Sequence, residues 1–453
     1  MLIRFVIKNV FSFGEQKEFN TLPNNRLKTL EHHRYDYDGF GLLKMSALYG
    51  ANGAGKSNLI KAMYILQNLV IRGKVPYRFQ DNFFKFNTDP DEQQLLAVEF
   101  FQGGIPFYYG LAILQGRIVT EELYRSGLGR EKDALLFERH TDEQGQSSLR
   151  FQDEFEQDEK SQVLKSILLE EFVKAEEPVF KLLAKRDNKY LSGVKIAYNW
   201  FSETLQILSP QTKVVGLAHW IETEPAFKTY AQDLMCSMNI GVESLVTQKV
   251  EMEEFFGKDN ENELVELKRK VEKTEMKMLE LEARSGEEIL VVKENGKFWV
   301  KTLKINHKGK GESVVQFDLK EESDGTIRLL DFVPAFMDII SDQRVFMIDE
   351  IERSIHPLLI KELVRKFSHD TESQGQLIFT THESNLLDQE LFRQDEIWFV
   401  EKNKEGASDL YSLSDFKEHK TIDIRKGYLS GRYGAIPFLG NLSDLNWHEY
   451  VTE

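Results

Sequence analysis

The chain has 453 residues, with 74 acidic against 58 basic side chains and a formal net charge of −16. This length suffices for roughly two or three domains, or for one domain that carries a large insertion. The acidic excess disfavours nucleic-acid binding by the surface as a whole and leaves room only for a local basic groove. The single cysteine, Cys236, excludes an intramolecular disulfide and a cysteine-based zinc cluster. No apolar run reaches the roughly 20 residues that cross a bilayer, and the N-terminus lacks a signal-peptide core, so we expect a cytoplasmic protein with no membrane partner.

The first 124 residues predict strands around one glycine-rich loop. Residues 2–10 alternate in polarity and predict a strand that pairs with 15–19 across a short turn. An apolar run at Met45–Tyr49 precedes the loop at 50–57, and apolar residues at helical spacing follow it. Further strands are predicted at Leu95–Phe101, at Phe107–Leu114 and near Arg117–Tyr124.

The loop at residues 50–57 reads Gly-Ala-Asn-Gly-Ala-Gly-Lys-Ser and matches the P-loop pattern at every specified position. Glycines let backbone N–H groups approach phosphate closely at the positive end of a helix dipole. We expect Lys56 to reach the β- and γ-phosphates and the Ser57 hydroxyl to ligate Mg²⁺. The order strand, loop, helix makes a chance glycine turn the weaker explanation. The predicted ATP-binding residues are Asn52, Gly53, Ala54, Gly55, Lys56 and Ser57.

The sequence pattern changes after residue 124, and residues 125–314 are predicted to form a mostly helical insertion. Within it, charged and apolar residues are interspersed at 160–208 and 224–256, and both stretches are predicted to be helical. Residues 264–281 keep apolar spacing for about two and a half heptads, which fits a short coiled coil or an amphipathic helix packed on its own domain. An Asn-Gly pair at 295–296 predicts a hairpin with a type I′ turn.

A second cluster of polar residues follows the apolar strand Val345–Ile348. In P-loop enzymes the Asp after such a strand holds Mg²⁺, the place that Asp349 fills. Glu350 is then positioned to act as general base toward the attacking water. A later buried strand ends at His382, where a γ-phosphate contact is expected, although a lone histidine after a strand is usually structural.

Upstream of that cluster, residues 323–326 read Ser-Asp-Gly-Thr and precede a helical run. Such a turn is commonly an N-cap, and it is also a ready-made anion site at a helix N-terminus. The sequence leaves these two interpretations open.

The order of these motifs resembles that of ABC-type ATPase heads of the SMC, Rad50 and overcoming-lysogenization-defect group. The resemblance implies an α/β P-loop NTPase with a two-lobed head, formed by 1–124 and 315–453, and an insertion that carries a short helical hairpin or coiled coil. By the same resemblance, ATP and Mg²⁺ are the cofactors. The corresponding segments are Walker A at 50–57, the signature at 323–326, Walker B at 345–350, the D-loop at 354–357 and the switch histidine at His382.

Two departures from the family pattern matter. The signature reads Ser-Asp-Gly-Thr rather than Ser-Gly-Gly-Gln, so contact with the ATP of a second head depends on Ser323 and Gly325. The Q-loop glutamine is not fixed by the sequence, and Gln80, Gln93 and Gln94 all remain candidates.

Four segments narrow the resemblance to the AAA15/AAA21 branch of stand-alone prokaryotic ATPases. Chain size and the short insertion are most similar to the ATPase subunit of PARIS-type anti-phage systems. This implies an ATPase whose site is shared by two self-associated heads, and it is compatible with a higher oligomer of dimers. The four segments are Ser323–Thr326, Asp349–Pro357, Thr380–Asp388 and Asp395–Lys402.

The resemblance implies a sensor and scaffold in abortive infection that controls a separately encoded Toprim-type nuclease and responds to a phage-derived trigger protein. One alternative is a Rad50/SMC-like DNA-repair ATPase that gates a nuclease on DNA. The net charge and the lack of a long coiled coil or a Cys-x-x-Cys hook argue against it. The other alternative is a nucleotide-gated structural oligomer with little hydrolysis. Salt-dependent DNA binding would favour the repair ATPase, and co-purification with an effector would favour the defence system.

Overall fold

The computed structural model describes residues 1–37, 39–76, 79–257, 261–274, 277–283, 286–416, 418–419 and 422–437. The chain forms two compact units. The first unit comprises Met1–Ser209, Asp342–Ile351 and Val364–Glu453, and the second comprises Pro210–Ser341 and Glu352–Leu363.

The secondary structure is mixed throughout the described residues. The strands are β1 Leu2–Lys8, β2 Lys17–Asn20, β3 Arg34–Tyr37, β4 Phe40–Leu43, β5 Met45–Tyr49, β6 Gln94–Gln102, β7 Ile105–Leu114, β8 Arg117–Arg125, β9 Ala134–Thr141, β10 Ser147–Phe151, β11 Leu205–Leu208, β12 Val242–Glu251, β13 Met278–Glu282, β14 Glu288–Glu294, β15 Lys297–Lys308, β16 Val314–Asp318, β17 Val345–Ile348, β18 Gln376–Thr380, β19 Ile397–Lys402 and β20 Ser408–Ser412. The α-helices are α1 Lys56–Arg72, α2 Asp153–Glu156, α3 Glu159–Ile167, α4 Phe180–Ala184, α5 Ser192–Asn199, α6 Leu217–Thr223, α7 Pro225–Ser237, α8 Met252–Phe256, α9 Glu261–Lys273, α10 Asp324–Ser341, α11 Pro357–His369 and α12 Ile424–Leu429. None of these helices is long and apolar enough to span a membrane.

An antiparallel sheet in the first unit has the strand order β10-β9-β8-β7-β6-β1-β2. The strands predicted near residues 2–10, 15–19, 95–101, 107–114 and 117–124 are all confirmed in it. Paired residues with positive φ, at 103–104 and 115–116, close the β6–β7 and β7–β8 hairpins. Such two-residue turns match the twist of the strands that they join.

A second sheet of the first unit positions the nucleotide loop. Its order is β11-β17-β18-β5-β19-β20, and every neighbouring pair is parallel except β19 and β20. All residues of β5, β17 and β18 are buried, as expected of parallel strands covered on both faces. The carboxyl ends of these strands meet at one edge, where ligands bind in open α/β sheets. The predicted α/β P-loop fold is therefore confirmed.

The second unit contains a sheet ordered β12-β15-β14-β13, in which β16 also pairs with β15. The β14–β15 hairpin is confirmed, with φ of 49° at Asn295 and 80° at Gly296, as a type I′ turn requires. The consecutive helices α6 and α7, separated by Glu224 alone, supply a short helical pair.

Parts of the insertion differ from prediction. The region 125–314 contains strands as well as helices α2–α9. Two of these strands, β11 and β12, lie in stretches that were predicted to be helical. The coiled-coil interpretation of 264–281 is wrong, since α9 ends at Lys273 and β13 begins at Met278. Lys277, at φ 54°, turns the chain between them. Leu264 and Val271 are instead buried in a cluster of the second unit, so the amphipathic-helix alternative holds as far as Lys273 and is wrong for 278–281.

Candidate functional site

The glycine loop between β5 and α1 is fixed by close packing on one side. A Cβ atom at Gly55 would lie 2.2 Å from Ser408 Oγ, and one at Gly50 would lie 2.3 Å from the Val400 carbonyl oxygen. Gly55 also has φ 119°, a backbone conformation that residues other than glycine disfavour. Around Gly53, at φ 77°, no atom lies within 4 Å of the corresponding position. The loop is thus packed against the protein at Gly50 and Gly55, and the space around Gly53 is open to a ligand.

Two serines that sequence reasoning missed support this loop. Ser408 Oγ lies 2.5 Å from the Ala54 carbonyl oxygen and 2.8 Å from Ser12 Oγ. Asn58 Nδ2, on the first turn of α1, donates to Ser12 Oγ at 2.8 Å. Ser12 comes from the β1–β2 turn and Ser408 from the start of β20. Single serines in a turn and at a strand start carry no motif, so only the tertiary fold reveals their role.

Lys56 lies inside the curve of the loop. Its side chain is buried, and its Nζ is 2.8 Å from the Gly50 carbonyl oxygen and 3.2 Å from that of Ala51. His382, which follows β18 in the chain, brings Nδ1 to 3.5 Å from the same Nζ. Desolvation, and next the Lys56 ammonium, lower the pKa of His382 below its usual value. Both effects favour the neutral form of His382, which leaves a ring nitrogen able to accept a hydrogen bond.

Ser57 and the carboxyl edge of the parallel sheet form a hydrogen-bonded cluster. The buried Asp349 carboxylate accepts from Ser57 Oγ at 2.9 Å and from Thr380 Oγ1 at 2.6 Å, both on Oδ1. The Glu350 N–H donates to Thr380 Oγ1 at 2.8 Å. Thr380 was predicted only as a strand residue, although it joins the two acids. Hydroxyl and carboxylate oxygens are the hard ligands that Mg²⁺ prefers, so Ser57 and Asp349 fit an ATP-bound Mg²⁺.

The signature residues lie in the second unit, at the start of α10. Ser323 is exposed, and its Oγ accepts from the Thr326 N–H at 3.1 Å, which confirms the N-cap interpretation. A Cβ atom at Gly325 would lie 2.6 Å from the carbonyl oxygen of Ser354, itself at φ 64°. The fold therefore packs the D-loop backbone on the signature glycine, and it requires glycine there. An anion-binding role for this turn stays a prediction.

The three Q-loop candidates are dispersed. Gln94 is buried at the start of β6, Gln93 is exposed, and the side chain of Gln80 lies outside the described residues. The stretch that ends in β11 was predicted to be helical, and the carbonyl oxygen of Leu208, the last residue of β11, accepts from the Asp349 N–H at 2.9 Å. The Q-loop glutamine stays unassigned.

Comparison with solved structures gives weak similarity to SMC heads. The SMC head bound to the C-winged helix domain of ScpA covers 92% of this chain and 99% of that chain, at 14% identity and a TM-score of 0.43. The SMC head domain from Thermotoga maritima covers 91% and 98%, at 12% identity and a TM-score of 0.37. An Smc head domain with an extended coiled coil, bound to a ScpA domain derived from Pyrococcus furiosus, covers 95% and 99%, at 14% identity and a TM-score of 0.38. No curated protein matches significantly.

Comparison with family models gives a match over residues 45–388. The matched span begins at β5, directly before the glycine loop, and extends past His382. It includes all the candidate site residues of both units. The chain belongs to the family described as AAA domain, putative AbiEii toxin, Type IV TA system.

Proposed function

We propose that this protein hydrolyses ATP to ADP and phosphate in a site completed by a second copy of the chain. The observation that carries the proposal is the cluster in which Asp349 joins Ser57 of the glycine loop to Thr380 and, through it, to the backbone of Glu350. Membership of an AAA-domain family supports nucleotide binding.

Each residue of the cluster has a chemical task in this proposal. Lys56 and the loop N–H groups bind the β- and γ-phosphates, and Ser57 and Asp349 would hold Mg²⁺. When bound, the metal neutralises charge that develops on the phosphates. Glu350 accepts a proton from water as the water oxygen bonds to the γ-phosphorus and the bond to the β-phosphate oxygen breaks. Neutral His382 accepts or donates a hydrogen bond beside the γ-phosphate.

Ser323 and Gly325 would cap the γ-phosphate bound by a second chain. Ser323 is exposed directly before α10 and Gly325 is partly exposed in its first turn, which supports this role. ATP then joins two heads and hydrolysis separates them, so that nucleotide biases an equilibrium between paired and unpaired states. The lobes at 1–124 and 315–453, with 125–314 as the insertion, belong to this proposal.

We further propose that the ATPase serves as sensor and scaffold in a prokaryotic anti-phage system of the PARIS type, acting in the cytoplasm. The family description, which refers to a toxin–antitoxin system, supports a defence context. Among the described residues, one group could hold a metal ion, His219 with Glu222 and Glu294, and lysines already neutralise its carboxylates. In this proposal the toxic chemistry belongs to a separate effector, a Toprim-type nuclease that is released when a phage-derived protein binds.

The first test is the mass in solution, by light scattering, with and without ATP and Mg²⁺. Glu350→Gln is expected to trap ATP between heads and to gain mass or compactness on ATP addition. Lys56→Ala is expected to lose nucleotide binding and to show no such gain. An assembly of unchanged mass and shape in every condition would contradict the gating mechanism. Salt-dependent DNA binding by Glu350→Gln with ATP would favour the repair-type alternative.

A mixing experiment tests whether the site is shared. Lys56→Ala and Ser323→Arg are each expected to lose hydrolysis, because each spoils both sites of a symmetric pair. In a mixed pair, one site carries both defects and the other carries neither. An equal mixture should therefore recover about a quarter of the wild-type rate if two-fold pairing is random. No recovery on mixing would show that each chain completes its own site.

A further inference from the structure

A basic pocket lies at the C-terminal end of α1, within the first unit. Its volume is about 380 Å³, inside the range of small-molecule sites and sufficient for one nucleotide unit. Its two acidic lining residues are Glu171 and Glu177. Its cationic lining residues are Arg72, Lys174, Lys181, Lys185 and Arg186.

Most of these cations lack an anionic partner among the residues that the structure describes. Lys174 pairs with Glu177 at 3.5 Å. Within the part of the chain that the structure describes, Arg72, Lys181, Lys185 and Arg186 form no ion pair. Four unpaired cations around one pocket repel one another, and they do so in a chain whose net charge is −16. An anion in the pocket would relieve that repulsion.

A buried ion pair holds the wall of the pocket in place. Arg139, which is fully buried, donates at 2.6 Å to the carbonyl oxygens of Lys174 and Glu177. The equally buried Glu121 lies 3.8 Å from Arg139 and accepts from the N–H groups of Val179 and Phe180 at 2.8 and 3.0 Å. These bonds fix the backbone that carries the lining residues, so the pocket is preorganised for a ligand.

An aromatic ring adds a second recognition element. Phe172 lines the pocket and is 46% exposed, although a large apolar side chain usually avoids solvent. The Arg186 guanidinium lies 5.1 Å from its ring centroid. Aromatic rings and guanidinium planes are the surfaces on which nucleic bases stack.

We propose that this pocket binds a nucleotide unit, with its phosphate among Arg72, Lys181 and Lys185 and its base stacked on Phe172. The exposed ring favours a planar aromatic ligand over a plain carboxylate. The unit could come from a free nucleotide or from a single-stranded nucleic acid, which share this chemistry. The pocket is separate from the glycine loop, because the 17 residues of α1 span about 25 Å between Lys56 and Arg72.

The first arm of the test uses fluorescein-labelled dT20 and the full-length protein, with anisotropy measured over a range of salt concentrations. Lys181→Gln/Lys185→Gln is expected to weaken binding at least about tenfold. Removing two phosphate contacts should also reduce the slope of log K against log salt by about 1.4. The matched control is Lys132→Gln/Lys404→Gln, which neutralises two exposed lysines outside the pocket.

The second arm uses ATP and calorimetry in the Lys56→Ala background, where the glycine loop no longer competes. One remaining equivalent of bound ATP is expected, and it should be lost when Lys181→Gln/Lys185→Gln is added. For whichever probe binds, Phe172→Ala should weaken binding by about 5- to 100-fold through lost stacking, whereas Phe172→Tyr should not.

Each outcome decides the proposal. Binding of dT20 alone supports a nucleic-acid source, and binding of ATP alone supports a free nucleotide. The proposal is overturned if wild type does not bind dT20 and Lys56→Ala does not bind ATP, or if the control pair loses as much affinity as the pocket pair. Equally tight binding of poly-glutamate would also overturn it and would identify an acidic protein as the ligand. Circular dichroism of every variant separates these results from misfolding.

Discussion

The two units bury charge in opposite ways. At the sheet edge of the first unit, the Asp349 carboxylate accepts from two neutral hydroxyls, and among the described residues it has no ion pair. In the second unit, the fully buried Lys301 has its Nζ 2.5 Å from Glu222 Oε2 and also pairs with Glu294. The charge in the second unit is therefore neutralised within the protein, whereas Asp349 keeps its capacity to bind a cation.

This difference shows why a cluster of ligand-type residues is not by itself a metal site. His219, Glu222 and Glu294 place their ligand atoms within 4.8 Å of one another. Lys249 and Lys301, however, contribute two ammonium groups to the same carboxylates. The cluster therefore stabilises the fold of the second unit. A site for a cation needs carboxylate oxygens that other cations have not taken.

The largest expected effect comes from breaking the first-unit site. Glu350→Gln removes the proposed general base and should lower kcat for ATP hydrolysis about 10²- to 10⁴-fold, as measured by phosphate release. Glu390→Gln, at an exposed carboxylate away from the cluster, is the control and should leave kcat unchanged. Equal losses in both variants would refute the role of Glu350.

Breaking the ion-pair cluster of Lys249 and Lys301 with Glu222 and Glu294 should reduce the free energy of unfolding of the second unit. Lys301→Met leaves Glu222 and Glu294 with one ammonium group, and we expect a loss of about 3 kcal/mol, the lower end for a broken buried pair. Lys249→Met removes the more exposed lysine and should cost less than about 1 kcal/mol. Hydrogen exchange at the β15 amides measures both losses. Equal costs would contradict the view that burial of Lys301 makes its pairing valuable.

The last prediction concerns how the stability of the second unit depends on pH. Burial, and next the Glu288 carboxylate, raise the pKa of Glu280 on β13 to about 7. The folded unit therefore binds a proton that the unfolded chain releases above its ordinary pKa near 4.5. The resulting stability is fully present below about pH 4.5, decreases as the pH rises from there, and is lost once the pH has passed 7.

Hydrogen exchange at β13 between pH 6 and 8, corrected for intrinsic exchange, checks this effect. Protection should fall with rising pH in wild type, and Glu280→Gln should flatten the trend. Glu282→Gln, at an exposed position on the same strand, should leave the trend as it is. A flat wild-type profile would show that Glu280 titrates normally.

The elements that carry local signals were predictable from sequence. The glycine loop, the short and mostly apolar strands β5, β17 and β18, and the Asn-Gly hairpin are each specified by neighbouring residues. β12 was not, because its apolar residues Val242, Leu245, Val246 and Val250 fall at spacings of three and four that suit a helix equally well. Pairing with β15, more than 40 residues later, makes it a strand. Contacts of Ser12, Thr380 and Ser408 likewise depend on distant segments and leave no local pattern.

Glu350 has a left-handed backbone conformation, with φ 52°, so the residue that suits the backbone best differs from the residue that the proposed activity needs. A non-glycine residue costs about 1–2 kcal/mol in this conformation, and glycine avoids the cost. Glu350→Gly should therefore yield a more heat-resistant protein that has lost its general base. Thermal resistance and catalysis therefore place opposite demands on the residue at this position.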